Sequence, residues 1–314
     1  MMRGTIMVAG SINMDIVNGV QAFPAPGETI IGLGTAYHPG GKGANQAVAA
    51  ARSGSPVVML GAVGTDTFGE TLLTGLREVG IQTEWVIDKA GSSGMAFITV
   101  NASGENTIVL SPGSNGLFVE QDIPEERLNQ AGMLLLQNEI PWSTNLYLMV
   151  QADKRGIPVL YNAAPAHKLT ATALPLIDTL IMNETEAETV TGEPVANVYE
   201  ASNAASLLVS RGVRHVVITL GNKGCFYMND KGTAVHQPAF EVEALDTTAA
   251  GDTFIGAYTS ALSKAKDRLS ALLYASAASA LAVTRRGAQS SVPDELEIES
   301  FLLQRSNGQG RTSE

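Results

Sequence analysis

A recurrence constrains this chain more than any single motif: a short apolar run ends in a cluster of polar or glycine residues, and a stretch of helical spacing follows. TIMVAG (5–10) runs into SINMD, MLLLQ (133–137) into NE, and VLY (159–161) into NAAP. TLIM (179–182) runs into NETEAE, VVITL (216–220) into GNKG, and VEAL (242–245) into DTTAAGD. Between such runs lie ANQAVAAAR, FGETLLTGLREVG, ASNAASLLVSRG and TFIGAYTSALSKA, each with apolar residues at helical intervals. Continuous apolar runs suit strands buried on both faces. The pattern therefore predicts an α/β fold, a mostly parallel sheet covered by helices on both sides.

Ligands of such sheets bind beyond the carboxyl ends of the strands. Asn13, Asp15, Glu139, Asn162, Asn183 and Asp252 all fall just after strand-like runs, so one sheet edge is the candidate site. Loops carry Asn and Asp for their turns as well, and it is the gathering of six on one edge that favours function. Two stretches break the rhythm: 16–36, with the turn signal PAPGE, and 94–111, with NASGEN. Both read as hairpins without a covering helix. They are expected to pair into a small β lid over the strand ends, on a main domain formed by 1–15, 37–93 and 112–314.

The bulk properties narrow the partners. A formal net charge of -11 argues against nucleic acid, whose binding rests on clustered Lys and Arg. It leaves open small anions held by a local positive field. Cys225 is the single cysteine, so no intramolecular disulfide is expected. The N-terminal apolar run breaks at Gly10 and reads as a first strand, and ALLYASAASALAV (271–283) is too short to span a bilayer. A soluble, cytoplasmic protein is expected.

HPGGKGANQA (38–47) lacks the spacing of a Walker A loop, and Lys42 is followed by glycine. It reads as a tight turn capping a helix near Ala44, or as a loop whose glycines let a polyhydroxylated ligand approach Lys42 and Asn45. NETEAE (183–188) opens a helix, where first-turn acids suit the macrodipole; alternatively Asn183 and Glu186 help to organise hydrated Mg²⁺ near phosphates. TLGNKGC (219–225) is either a plain hairpin or a phosphate-contacting loop with Lys223. In DTTAAGDTF (246–254) the residues Ala249, Ala250, Gly251 and Asp252 present consecutive amides at a helix start. That is an anion hole for a phosphoryl group in transfer, with Asp252 placed to take a proton from an attacking hydroxyl. The four histidines show no zinc spacing, and there is no GxSxG elbow.

GSINMD, PGETI, GGKGANQAVAA, NETEAE, DTTAAGDTF and VTRRGAQSSVP (283–293), in this order, resemble the ribokinase family of sugar kinases, with its phosphofructokinase-B-type three-layer fold and β lid. The resemblance implies ATP-dependent phosphorylation of the 5-hydroxyl of D-ribose. The same mechanism on 2-deoxyribose, another sugar or a nucleoside is the alternative, and a non-catalytic sensor is a further one. It implies that Ser11, Ile12, Asn13, Asp15, Gly40, Gly41, Lys42, Gly43, Asn45 and Glu139 bind the sugar. Asp252 is then the base, over the anion hole Ala249–Gly251. Asn183 and the loop Thr219, Leu220, Gly221, Asn222, Lys223 and Gly224 would bind ATP together with Gly251, Asp252 and Ser276, and Glu186 would act near Mg²⁺. Asp246, Thr248, Ala282, Arg285, Gly287 and Ser291 match positions that hold an activating K⁺. A homodimer formed through the lid is also implied. Ser276 departs from the His or Asn found in relatives near the adenine, and Met95 and Ala96 lie on the lid strand facing the sugar.

Overall fold

The computed structural model describes residues 4–309; the outer limits assigned to the main domain, residues 1–3 and 310–314, lie outside the described residues. In chain order the strands are β1 Thr5–Ala9, β2 Asn13–Gly19, β3 Gly34–Gly40, β4 Val57–Gly64, β5 Gln82–Lys89, β6 Gly94–Val100, β7 Asn106–Ser111, β8 Ala131–Leu136, β9 Val159–Asn162, β10 Thr179–Asn183, β11 His215–Thr219, β12 Cys225–Asn229 and β13 Ala234–Gln237. The helices are α1 Lys42–Arg52, α2 Thr67–Glu78, α3 Glu125–Leu128, α4 Trp142–Arg155, α5 Glu184–Thr191, α6 Val198–Ser210, α7 Ala250–Ser263, α8 Arg268–Ala282 and α9 Glu295–Gln309.

Nine strands form the main sheet in the order β13-β12-β11-β10-β9-β8-β1-β4-β5. The seven strands β11-β10-β9-β8-β1-β4-β5 pair in parallel, while β12 and β13 add an antiparallel edge. Alternate residues of each central strand enter opposite cores. Ile6, Val8, Leu135, Leu160 and Ile181 pack under α1, α2, α7, α8 and α9. Met7, Ala9, Leu134, Leu136, Tyr161 and Met182 pack under α4, α5 and α6. Both faces are apolar, hence the uninterrupted runs in the sequence.

The two hairpins join in a separate four-stranded sheet, β3-β2-β6-β7, with β2 and β6 parallel at its centre. Its strands reach further than the sequence signals did: Asn13–Asp15 and residues 37–40 belong to it. One expected strand is absent. VEAL is irregular because the Leu245 and Asp246 amides both donate to the Val283 carbonyl, at 2.8 and 3.2 Å, which ties the segment to the end of α8 and away from the sheet.

Helices α1 and α7 cross at a contact that only small residues permit. A Cβ on Gly256 would lie 2.5 Å from Ala49 Cβ and 2.8 Å from the Ala50 nitrogen, well inside van der Waals distance. Gly256→Val is expected to force the helices apart and to destabilise the fold by roughly 1–3 kcal/mol, measured as a lower urea midpoint; an unchanged midpoint contradicts the contact.

Candidate active site

The site is built where β1, β8, β9 and β10 end and α1, α5 and α7 begin. After β1 the chain turns through Gly10–Ile12 into β2, and the α1 N-terminus docks against this turn. Its closeness depends on Gly43, where a Cβ would lie 2.6 Å from the carbonyl carbon of Gly10 and from the Ser11 nitrogen. Gly41, at φ 89°, caps the helix in the left-handed region. The same turn gathers sugar-site candidates. The Ser11 hydroxyl donates to Glu139 Oε2 at 2.5 Å, the Lys42 amide donates to the same oxygen at 3.0 Å, and the Gly43 amide donates to Ser11 Oγ at 3.2 Å. Gly40 has no side chain where the Asp15 carboxylate lies. Ile12 is buried, and Asn13 accepts from Asn115 Nδ2 at 2.7 Å.

A cleft of about 210 Å³ lies beside this cluster, its wall including Lys42, Asn162, Asn183, Glu186, Thr219, Thr247, Ala249, Ala250, Gly251 and Asp252. Asp252 stands in the first turn of α7, buried, with Oδ2 accepting from Asn45 at 3.1 Å and Oδ1 from Gln46 at 2.9 Å. Ala249 adopts φ 55°, a left-handed conformation that is strained for alanine. The Ala249, Gly251 and Asp252 amides have no hydrogen-bond partner among the described residues, whereas the Ala250 amide turns back to the Thr247 carbonyl at 3.2 Å. The row of four amides expected from DTTAAGD is therefore three, because the tight turn into α7 uses one.

Charge at the site is unbalanced. Burial, then the charges of Glu139 and Asp252, push the Asp15 carboxyl up to about 7. For Lys42 burial works against the charge, but Asp252, Glu139 and Glu186 outweigh it and hold the ammonium above its ordinary range. Burial also raises Glu186, which closes a capping box on α5: its amide donates to Asn183 Oδ1 at 2.8 Å and its carboxylate accepts from the Asn183 amide at 2.9 Å. That box accounts structurally for NETEAE while leaving both side chains at the cleft.

Other candidates lie apart. Thr219 reaches the cleft, but Leu220 is buried, and Lys223 Nζ donates to the Ala196 carbonyl at 2.7 Å. Gly221, Asn222 and Lys223 form a single turn between β11 and β12, closed by Leu220 donating to Gly224 at 2.7 Å. Ser276 is buried on α8 beside Cys225. Asp246 joins two of the cation candidates, accepting from the Thr248 and Gly287 amides at 2.9 Å each. Burial opposes its charge, yet these bonds hold its carboxyl below the ordinary range. Arg285 pairs with Glu297, its amide donates to the Ala282 carbonyl, and Ser291 Oγ donates to Ala288. Asn162 was expected on the candidate sheet edge without a particular role, whereas nothing was expected of Gln46 or Asn115. A signal for Gln46 existed: Asn45 and Gln46 are the only polar residues in the otherwise apolar, alanine-rich stretch 44–51.

The model for the pfkB family carbohydrate kinases matches residues 3–295. The chain belongs to this family. It is thus a phosphotransferase with a sugar alcohol group as acceptor. Ribokinase from Haemophilus influenzae is 43% identical, covering 96% of this chain and 99% of the relative. Deoxyribokinase from Salmonella typhi is 37% identical, covering 95% and 98%. The structure of Arabidopsis thaliana ribokinase complexed with ribose and ATP superposes with a TM-score of 0.88 at 30% identity, covering 95% and 98%. The three-layer fold and small sheet agree with this membership.

Asp15 has a consequence for stability. Its folded pKa, about 7, exceeds the unfolded 3.8, so its contribution is fully present below about pH 3.8 and lost as pH rises through 7. Asp15→Asn, neutral throughout, is expected to gain roughly 1–3 kcal/mol relative to the parent between pH 4 and pH 8 without sugar. Urea titrations at the two pH values measure this; parallel losses in both proteins contradict it.

Proposed function

We propose that this kinase uses ATP to phosphorylate the 5-hydroxyl of D-ribose, giving D-ribose 5-phosphate and ADP. The observation that carries the reading is Asp252: a buried carboxylate at a helix N-terminus, between unbonded amides and a polar cluster suited to a polyol. Asp252 takes the proton as the O5–H bond breaks. O5 bonds to the γ-phosphorus, and the bond to the ADP oxygen breaks. The Ala249, Gly251 and Asp252 amides receive the charge on the moving phosphoryl oxygens, with Lys42 beside them. Asn13, Asp15, Glu139 and Asn45 orient the sugar, with Ser11, Ile12 and Gly40–Gly43 shaping the pocket. Thr219–Gly224, Asn183 and Ser276 belong to the nucleotide side.

Two cations fit the donors present. Glu186 and Asn183 offer oxygen ligands suited to a hydrated Mg²⁺, which when bound neutralises phosphate charge. The Asp246 carboxylate and the carbonyls of 282–291 offer oxygens for K⁺, whose part would be to brace the loop before α7. The exposed apolar residues of the smaller sheet and its connections, among them Ile31, Leu33, Tyr37 and Val109, suit a second copy of this chain. No helix among the described residues is long and apolar enough to cross a membrane, and we place the enzyme in the cytoplasm with its substrates.

A second reading, 2-deoxyribose as acceptor, draws on the likeness to deoxyribokinase. An ATP-coupled sugar panel separates them: ribose is expected to give the higher kcat/KM, and turnover of deoxyribose without ribose overturns the first reading. Asp252→Asn is expected to lower kcat at least 10³-fold while ribose still binds in calorimetry; undiminished turnover removes the base. Replacing K⁺ by a bulky organic cation is expected to lower kcat severalfold, and equal rates remove the cation site.

A further inference from the structure

Beneath Asp252 lies a set of buried carboxamides that the chemistry above does not use. Gln46 is 0% exposed on α1, Gln137 0% at the end of β8, and Asn162 3% on β9. Gln46 Nε2 is 2.9 Å from Asp252 Oδ1 and 3.1 Å from Asn162 Oδ1, and its Oε1 accepts from Gln137 Nε2 at 2.8 Å. Gly10 lacks a Cβ where the Gln137 carboxamide passes, so the backbone leaves room for this arrangement.

A carboxamide can turn over, exchanging donor and acceptor, unless its neighbours forbid it. Here they forbid it. Asn162 Nδ2 donates to the Ile181 carbonyl at 3.1 Å; that oxygen only accepts, so Asn162 must present Oδ1 to Gln46. An acceptor there demands the Gln46 amino group, whose second hydrogen points at Asp252. The other carboxylate oxygen faces a second carboxamide. Gln289 Nε2 donates to Asn45 Oδ1 at 3.2 Å, turning Asn45 Nδ2 onto Asp252 Oδ2. Arg52 holds the chain at Gln289 by donating to the Gln289 and Val292 carbonyls, at 3.0 and 2.7 Å.

We infer that Gln46 is a positioning residue for phosphoryl transfer: locked by Asn162, it fixes Asp252 in the acceptor form and aims it at the cleft, with Gln289 doing the same through Asn45. This rests on the reading of Asp252 as the base. The two donors meet the two carboxylate oxygens in charge-assisted bonds, which hold the side chain more firmly than neutral ones would. Were Gln46 free to turn, its Oε1 would face the carboxylate and repel it.

Kinetics of Gln46→Met, Asn162→Ala and Gln289→Met test this, with folding checked by circular dichroism. Gln46→Met is expected to lower kcat ten- to a hundredfold with the sugar KM within about threefold of the parent, and the other two to lower kcat about three- to tenfold. In each, the acid limb of the kcat–pH profile is expected to move to higher pH, since the lost donors favour the charged form. The charged groups around Asp252 (Lys42 on α1, Asp15 on β2, Glu186 on α5) are unchanged in these variants. The Gln46→Met/Asn162→Ala double variant is expected to be no slower than Gln46→Met, because Asn162 acts through Gln46. An unmoved kcat and acid limb in folded Gln46→Met overturns the inference; should that variant not fold, unmoved values in both other variants do so. A dead Asp252→Asn beside a normal Gln46→Met defeats only the positioning role. A fully active Asp252→Asn defeats the base assignment itself.

Discussion

The close crossing of α1 and α7 is the constraint on which the site depends. Alanines 47, 49 and 50 on one helix meet Gly256 and Ala257 on the other, all essentially without exposure. Bulkier residues would widen the gap by ångströms and move Asn45 and Gln46 out of hydrogen-bonding range of Asp252. The same crossing aligns two helix starts, Lys42 and Ala250, beside one cleft. Each N-terminus contributes a partial positive charge; α7 adds unpaired amides, whereas the first amides of α1 are taken by Glu139 and Ser11. Small-residue packing and phosphate chemistry are thus one requirement: the helices must be close for their ends to share a ligand.

That local positive field explains how an acidic chain handles an anion. Asp252, Glu139 and Glu186 act on a single ammonium, Lys42, and Asp15 adds a fourth acid beside Glu139 and Asp252. Unrelieved, such a cluster would repel ATP. Amides do not titrate, so the row at Ala249, Gly251 and Asp252 offsets the acids at any pH. The cluster is under strain nonetheless, and the raised Asp15 carries it. Sugar hydroxyls donating to these carboxylates would relieve that strain on binding, tying acceptor recognition to the charge state of the pocket.

Much of the architecture was legible because the two faces of the sheet are equally buried. Strands β1, β8, β9, β10 and β11 coincide with unbroken apolar runs, and the helices between them with helical spacing. VEAL misled because an apolar tetrad says nothing of its partner, and here the partner is the end of α8. The edges of the smaller sheet extended into 13–15 and 37–40, where Asn, Asp, His and Pro read as loop and only β pairing across the two segments makes them strand. At the site, glycines and acids announced themselves. Gln46, Gln137 and Asn115 did not, since a buried carboxamide has a meaning only once its donors and acceptors are in place. The left-handed Ala249 was hidden for the same reason: nothing in AAGD tells which alanine takes the strain.

One arrangement links substrate and sheet. Asn13 and Asp15 are not on a loop below a cover; they are residues of β2, which is also a central strand of the smaller sheet. β2 leaves the turn after β1 and pairs with β3, whose last residue, Gly40, leads directly into the α1 N-terminus. A rigid-body movement of the small sheet cannot occur without moving Asp15 relative to Asp252 or bending β2 and β3 near their roots. Asn115, which bonds both the Ile12 backbone and the Asn13 side chain, anchors β2 at that root. Were the small sheet to move, bending would fall beyond Asn13, with Asp15 on the moving side. Closure of such a sheet would carry Asp15, the carboxylate proposed to bind the sugar, toward Asp252, so an element that covers the site would also complete it.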